Sequence, residues 1–202
     1  MTPRLLHPPV ARAEWRDLKT LLASKATLSE RADILPFFRS RHDLSLLIGY
    51  YFPNIRRPDV FAHEFPLGGD FTPDLVVGDS SARQYVIVQF ENAADNSVFT
   101  GSRSKKAWAP RFEGAFSQLV DWIWKLDDMR STQDFIDTFG AADAEFRGLV
   151  VIGKDQKHTA SEARRLRWRV EHTLVDSKRV DVRSFDQLSD DIDFWLSGYH
   201  QI

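Results

Sequence analysis

The stretch that decides the fold is Thr72-Pro73-Asp74-Leu75-Val76-Val77, the turn Gly78-Asp79-Ser80-Ser81, and Tyr85-Val86-Ile87-Val88-Gln89-Phe90-Glu91. Short runs rich in valine and isoleucine on either side of a Gly/Asp/Ser cluster read as two strands of a hairpin. Pairing about the turn sets Val77 opposite Val86, and that register carries Asp74 opposite Gln89. Gln89 and Glu91 are two residues apart and share a face. Two carboxylates and an amide oxygen therefore meet at one end of a sheet. A hard cation such as Mg²⁺ suits that oxygen set, with waters and a substrate phosphate completing its shell. The same residues also admit a plainer reading, in which Asp74 caps the turn after Pro73 while Gln89 and Glu91 lie on a solvated face.

Upstream, Val60 to Leu67 reads as a strand, Gly68-Gly69-Asp70 as its turn and Phe71 to Val77 as the returning strand, so Tyr85 to Glu91 completes a three-stranded antiparallel meander. Before it the apolar period is 3.6. Val10 to Lys25 carries Trp15, Leu18, Leu21 and Leu22 at helical spacing. Ser29 reads as an N-cap with Glu30 and Asp33 in the first turn, where the helix dipole favours them. Ile34, Leu35, Phe37 and Phe38 give that helix an apolar face, and Pro36 is expected to kink it. A short helix follows from Leu44 to Tyr50.

Downstream, Asn92 to Pro110 is polar and reads as a loop over the sheet edge. Arg111 to Leu126 is an amphipathic helix with Phe112, Phe116, Leu119, Val120, Ile123 and Trp124 on one broad face, and a shorter helix covers Thr132 to Phe139. Phe146 to Ile152 is a buried strand, Thr159 and Glu162 form a capping box that opens a helix to His172, Val180 to Phe185 is a last strand, and Asp186 to Leu196 a terminal helix. Antiparallel strands followed by strands joined through helices make a mixed sheet with helices packed on it, an α/β or α+β fold. We divide the chain into an N-terminal helical extension, 1–28, and one domain, 29–202.

The composition narrows the function. The chain has 202 residues, enough for one domain at roughly 150 residues each. It has no cysteine, which excludes disulfides, thiol nucleophiles, zinc fingers and iron–sulfur clusters. The six histidines are scattered without metal-ligand spacing, so zinc is not expected. Gly68-Gly69 lacks the following lysine and hydroxyl residue of a phosphate loop. No run reaches membrane-spanning length and the first residues lack a signal-peptide core, so a cytoplasmic protein without a membrane partner is expected. A net charge of −2 excludes a globally basic nucleic-acid binder but leaves room for a local patch. Such a patch exists where Arg164, Arg165, Arg167 and Arg169 crowd around Trp168, with Lys154, Lys157 and His158 upstream. Arginine forks pair with phosphate oxygens; the commoner fate of such a run is a solvated helix face paired to Glu162 and Glu171. Arg103, Lys105 and Lys106 form a second strip. The six tryptophans, including Trp122, Trp124, Trp168 and Trp195, are expected in the core.

Pro73-Asp74, then a strand ending in Gln89-Phe90-Glu91, in a helix–three strands–helix–strand order, resembles the PD-(D/E)xK nuclease superfamily. More specifically, Gly69 to Asp79, Gln89-Phe90-Glu91, Phe116-Ser117-Gln118-Leu119-Val120-Asp121-Trp122, the strand from Gly148 to Gly153 and Val182 to Leu188 resemble the Shedu antiphage-defence nuclease family. The resemblance runs from about Leu22 to Leu196. It implies a restriction-endonuclease-like mixed central sheet with flanking helices, and a Mg²⁺- or Mn²⁺-dependent endonuclease acting on DNA, or RNA, as a homo-oligomer. It makes Asp74 the central metal ligand, Gln89 the second signature position and Glu91 the position usually held by lysine. Glu30 corresponds to a carboxylate on the first core helix, and Gln118 to a glutamine on the helix after the third strand. Two positions depart from the pattern: glutamine stands for an acid and glutamate for the lysine. Positive charge is then expected from Lys105, Lys106 or Lys125. The departures keep open a non-cutting nucleic-acid-binding or sensing module of the same fold, and a structural assembly subunit is a third alternative.

Overall fold

The computed structural model describes residues 1–102, 105–154 and 158–202. The expectations for Arg103, Lys157 and the Lys105 side chain therefore lie outside the described residues. In chain order the elements are β1 (Thr2–Pro3), α1 (Pro8–Ser24), a π-helical turn (Glu30–Ile34), α2 (Leu35–Arg39), α3 (His42–Leu47), a 3₁₀ turn (Ile48–Tyr51), β2 (Val60–His63), β3 (Leu75–Asp79) and β4 (Gln84–Phe90). There follow β5 (Phe99–Ser102), β6 (Lys105–Trp108), α4 (Pro110–Met129), α5 (Gln133–Phe139), β7 (Glu145–Val151), α6 (Ala160–His172), β8 (Leu174–Val175), β9 (Lys178–Arg183) and α7 (Phe185–Tyr199).

The hairpin register is the one the sequence predicts, with Val77 opposite Val86 and Leu75 opposite Val88. β2, β3 and β4 are antiparallel neighbours, whereas β4, β7 and β9 are parallel, giving the sheet order β1-β2-β3-β4-β7-β9-β8. Parallel neighbours need crossovers; α4 with α5 supplies one and α6 the other. β4 is thus the strand where the antiparallel and parallel halves of a mixed α/β sheet meet.

Strand alternation builds two cores, one on each face. Leu75, Val77, Val86, Val88, Phe90, Leu149 and Val151 face α1, α2, α3 and α7. Val76, Tyr85, Ile87, Phe146, Val150, Val180 and Val182 face the α4, α5 and α6 side. A sheet covered on both faces needs near-continuous apolar strands, which is why Leu75 to Val77 and Tyr85 to Val88 carry no exposed residue. Gly78 is required by packing, because a Cβ there would lie 2.3 Å from Tyr85 Cδ1 and 2.5 Å from the Gln84 carbonyl oxygen. The segment before Leu28 is fastened to the sheet and helices. Thr2 pairs with Phe61, the Trp15 indole donates to the Ser189 carbonyl at 2.9 Å, and Glu14 accepts from the Leu44 amide at 2.7 Å. Fully buried Asp43 is satisfied by Arg4 and by the His7 amide.

Four local expectations change. The strand from Val60 stops at His63, since Glu64 takes a φ of +47°, and its partner begins at Leu75 because Pro73 has no N–H to offer a ladder. Between them the turn residues Gly68 and Gly69 sit at φ +60° and +81°, leaving Leu67 and Phe71 a single bridge. Pro36 stands at the start of α2, after the π-helical turn, rather than inside one kinked helix. The polar segment Asn92 to Pro110 contains the antiparallel pair β5–β6, held by Phe99 stacked on Trp108 with ring centroids 4.5 Å apart. Its outward residues are polar, so the two-residue period is carried by too few apolar positions to be legible. Trp124 and Trp168, expected in the core, are 60% and 63% exposed, while Trp122 and Trp195 are buried.

Candidate active site

Asp74 lies one residue beyond the end of the β3–β4 ladder, where its carbonyl still accepts the Glu64 amide at 3.0 Å and its side chain alternates onto the α4 face. Its Oδ2 accepts the Phe90 amide at 2.7 Å, which fixes the carboxylate beside the end of β4. Gln89 and Glu91 are both 6% exposed and on the same side of β4. The Gln89 Nε2 donates to the Phe90 carbonyl at 3.1 Å, and the Glu91 amide donates to the Val151 carbonyl at 2.9 Å, extending the β4–β7 pairing by one residue. The three residues sit at the carboxyl end of parallel strands, where open α/β sheets usually place their ligand sites.

Glu30 reaches the same place from the other direction. A two-way backbone bridge, Leu28 amide to Ala93 carbonyl at 2.9 Å and the reverse at 3.0 Å, ties the N-terminal turn to the chain leaving β4. The Asn92 side chain then accepts the Glu30 amide at 2.8 Å. Behind the site Phe38 stacks on Phe90 at 4.4 Å, locking the strand end from the opposite face.

One residue that sequence reasoning missed completes the cluster. Arg111, in the first turn of α4, donates from Nη1 to Glu91 Oε2 at 2.8 Å and to Glu30 Oε2 at 3.3 Å. The available signal was Pro110, which fixes the first helical position and therefore puts Arg111 in the first turn. Nothing in the spacing connects that turn to Glu91 across the intervening β5–β6 segment. A cavity of about 280 Å³ adjoins the cluster and is lined by Arg111, Asn92, Asp95, Asn96 and Thr100 among others.

Crowded carboxylates in a half-buried place hold their protons tightly. Burial pushes Asp74 up to about 7, with the charges of Glu30, Glu91 and Glu64 adding to the effect and the Phe90 amide opposing it. Glu91 is likewise raised, chiefly by burial, with Arg111 pulling it back and Glu30 pushing it up. Two of the three carboxylates, Glu30 and Glu91, share Arg111, and the surplus of negative charge suits a further cation.

The other sequence-predicted residues are distributed as follows. Gln118 is exposed on α4, seven residues or about 10 Å along the helix from Arg111. Lys106 faces Glu162 at 3.7 Å and Lys125 faces Asp70 at 3.4 Å, so neither supplies the charge beside Glu91. Lys154 donates to the Leu22 and Lys25 carbonyls and fastens the end of α1. Arg169 forms a two-pronged pair with Glu113 and lies over the Trp108, Phe112 and Phe116 rings. Arg165 stacks over Trp108 and donates to the Lys106 carbonyl at 3.0 Å, while Arg164 and Arg167 are exposed and make no ion pair among the described residues.

For a divalent cation the donors are all oxygen: Asp74, Glu91 and the Gln89 amide oxygen, with Glu30 nearby. Among the described residues no group of three or more His, Asp or Glu side chains is drawn together as a ready metal cage. The chemistry of the set fits a hard cation that keeps several waters, the ordinary habit of Mg²⁺. It does not fit a dehydrated, fully protein-bound ion.

Fold and site together define a mixed α/β domain with an oxygen-rich cluster at the carboxyl end of its central strand, an arrangement compatible with the PD-(D/E)xK superfamily. Residues 27–189 match the family described as Shedu protein SduA, C-terminal, and the chain belongs to that family. Membership supports a role in antiphage defence. No curated protein matches the chain. Among the described residues no helix is long and apolar enough to cross a membrane.

Proposed function

We propose that the chain is a metal-dependent nuclease that hydrolyses DNA phosphodiester bonds. The observation that carries the reading is the meeting of Asp74, Gln89 and Glu91 at the end of β4, in the register the hairpin predicts and the order the family resemblance implies. Asp74 and Glu91 would hold Mg²⁺ or Mn²⁺ with the Gln89 amide oxygen, and Glu30 would serve a second ion. The ion's contribution, when bound, is to polarise the phosphoryl oxygen and acidify the attacking water.

The chain's own residues do the rest. The Phe90 amide fixes the direction of the Asp74 carboxylate. Glu91, with its proton affinity raised by burial, is suited to orient or deprotonate water. Arg111 brings fixed positive charge to where the phosphorane develops negative charge, the work expected of the absent lysine. Gln118, about 10 Å along α4 from Arg111, would steady the substrate backbone rather than the reacting atoms.

A second reading is favoured by Arg111 itself. Because its guanidinium already pairs with Glu91 and Glu30, the site has a cation of its own, and a binding module that does not cut is the alternative. Supercoiled plasmid incubated with Mg²⁺, Mn²⁺ or EDTA separates the two. Nicking or linearisation that requires the metal and disappears in Asp74→Ala supports the nuclease. Intact plasmid with the wild-type protein under all three conditions refutes it.

A further inference from the structure

We infer that the groove between β6 and α6 stacks an unpaired base of a nucleic-acid strand, so the protein prefers single-stranded to duplex segments. The inference deepens the nucleic-acid side of the proposed function and is independent of cleavage.

The groove encloses about 660 Å³ and is lined by Trp108, Ser161, Arg164, Arg165, Trp168 and Arg169, with Thr173 at one end. That volume is ordinary for a small-ligand site, about 300–1,000 Å³. Its lining is unusual in kind, because it has two indoles and three guanidinium groups but, among the described residues, no aliphatic side chain. Trp168 is 63% exposed, and one side of its ring rests on His172 with centroids 5.0 Å apart and planes 8° from parallel. Arg164, Arg165, Trp168 and His172 fall at three- and four-residue spacing and so form one stripe of α6. Opposite them Trp108 is held rigid between Phe99 at 4.5 Å and Phe112 at 5.2 Å. Arg165 and Arg169 lie 5.0 and 4.9 Å from the Trp108 ring centre, giving the wall both a flat surface and positive charge.

The nearby acids neutralise only one of the three wall arginines, Arg169. Glu162 is engaged by the Thr159 capping box and Lys106, and Glu113 by Arg169. Arg164 has no ion pair among the described residues and is exposed. A ligand that matches flat π surfaces beside uncompensated arginine is itself flat and anionic, which is the chemistry of a nucleotide. A duplex base is already stacked on both faces and cannot offer one to Trp168. The groove also lies where a strand would be useful. Trp108 and Glu113 bracket Arg111 in sequence, so the groove opens beside the same end of α4 that carries Arg111 to Glu91.

The test is fluorescence anisotropy with the intact protein in EDTA, using labelled oligothymidylate and a hairpin duplex of similar length. The single strand should bind more tightly. Base–aromatic stacking predicts that Trp168→Ala weakens it by about five- to a hundredfold, while Trp168→Phe, which keeps a ring, retains most of the affinity. Arg164→Ala should lower the salt slope by about one phosphate. The exposed position of Trp168 lets both variants fold, which thermal melts verify. Equal affinity for single strand and duplex, or Trp168→Ala acting equally on both, overturns the inference. A protein that shows this preference without cutting refutes the nuclease reading alone, and one that cuts without the preference refutes the groove alone.

Discussion

Replacing Arg111 by methionine tests how the carboxylate cluster is held together. Methionine keeps most of the apolar stem and removes the charge, so the change isolates the pair with Glu91 and Glu30. The Glu91 side chain is 8% exposed and that of Arg111 48% exposed. Removing one partner of a fully buried pair costs about 3–5 kcal/mol, and an exposed pair is worth about 0.2–1 kcal/mol. A pair buried on one side only falls between, at about 1–2 kcal/mol. For a chain of this size each kcal/mol moves the melting temperature by about 2–4 °C, so Arg111→Met should melt about 2–8 °C lower at neutral pH. The pH dependence gives the sign. Glu91 already has a raised proton affinity in the folded state, and loss of Arg111 raises it further. The penalty therefore falls on the ionised form, is largest toward higher pH and fades as the pH falls through the raised folded-state titration of Glu91, above the ordinary glutamate range, where both folded proteins take up the proton. Calorimetric melts of both proteins from neutral to acid pH are the assay. Equal melting temperatures at neutral pH, or a gap that persists undiminished in acid, would refute the reasoning.

Other perturbations follow from the same structure. His63 is pushed down to about 4, first by burial and then by the charges of His42 and Arg39. An unfolded histidine titrates near 6.5, so stability is full above that pH and lost as pH falls toward 4. The ceiling is about 3.4 kcal/mol from the shift, discounted to about 1–2 for a half-buried ring; His63→Gln should flatten the acid limb of a denaturation profile, and an unchanged limb would dismiss the assignment. Phe38→Ala removes a fully buried ring stacked on Phe90 and should cost about 3–5 kcal/mol in a urea titration. Arg169→Ala should lower stability by about 1–3 kcal/mol, because it breaks the bond pair to Glu113 and uncovers three aromatic rings. Arg164→Ala should leave the melting temperature unchanged, and an Arg169→Ala protein as stable as the wild type would refute the structural role of Arg169.

What the sequence made legible was local or periodic. The β3–β4 register, the convergence of Asp74 with Gln89 and the Thr159–Glu162 capping box could be read because each depends on neighbours a few residues apart. The antiparallel-then-parallel sheet followed from strand runs separated first by turns and then by helices. Arg111 escaped because its contact with Glu91 is made by tertiary packing of α4 against the end of β4, which no period encodes. The β5–β6 pair escaped because its stability comes from Phe99, Trp108 and Arg165 stacked together, not from an apolar alternation. Trp124 and Trp168 were misplaced for a related reason. A broad apolar stripe tells which side of a helix faces inward, but not where that stripe ends, and both indoles sit just past it.

The central claim is that the oxygen-rich end of β4 takes a divalent cation. Titration of Mn²⁺ into the wild-type protein, Asp74→Asn and Glu91→Gln, followed by the electron paramagnetic resonance signal of the free ion, tests it directly. The account predicts saturable binding in the millimolar range or tighter by the wild type, weakened in both variants. Binding that is absent in the wild type, or identical in all three proteins, would contradict it.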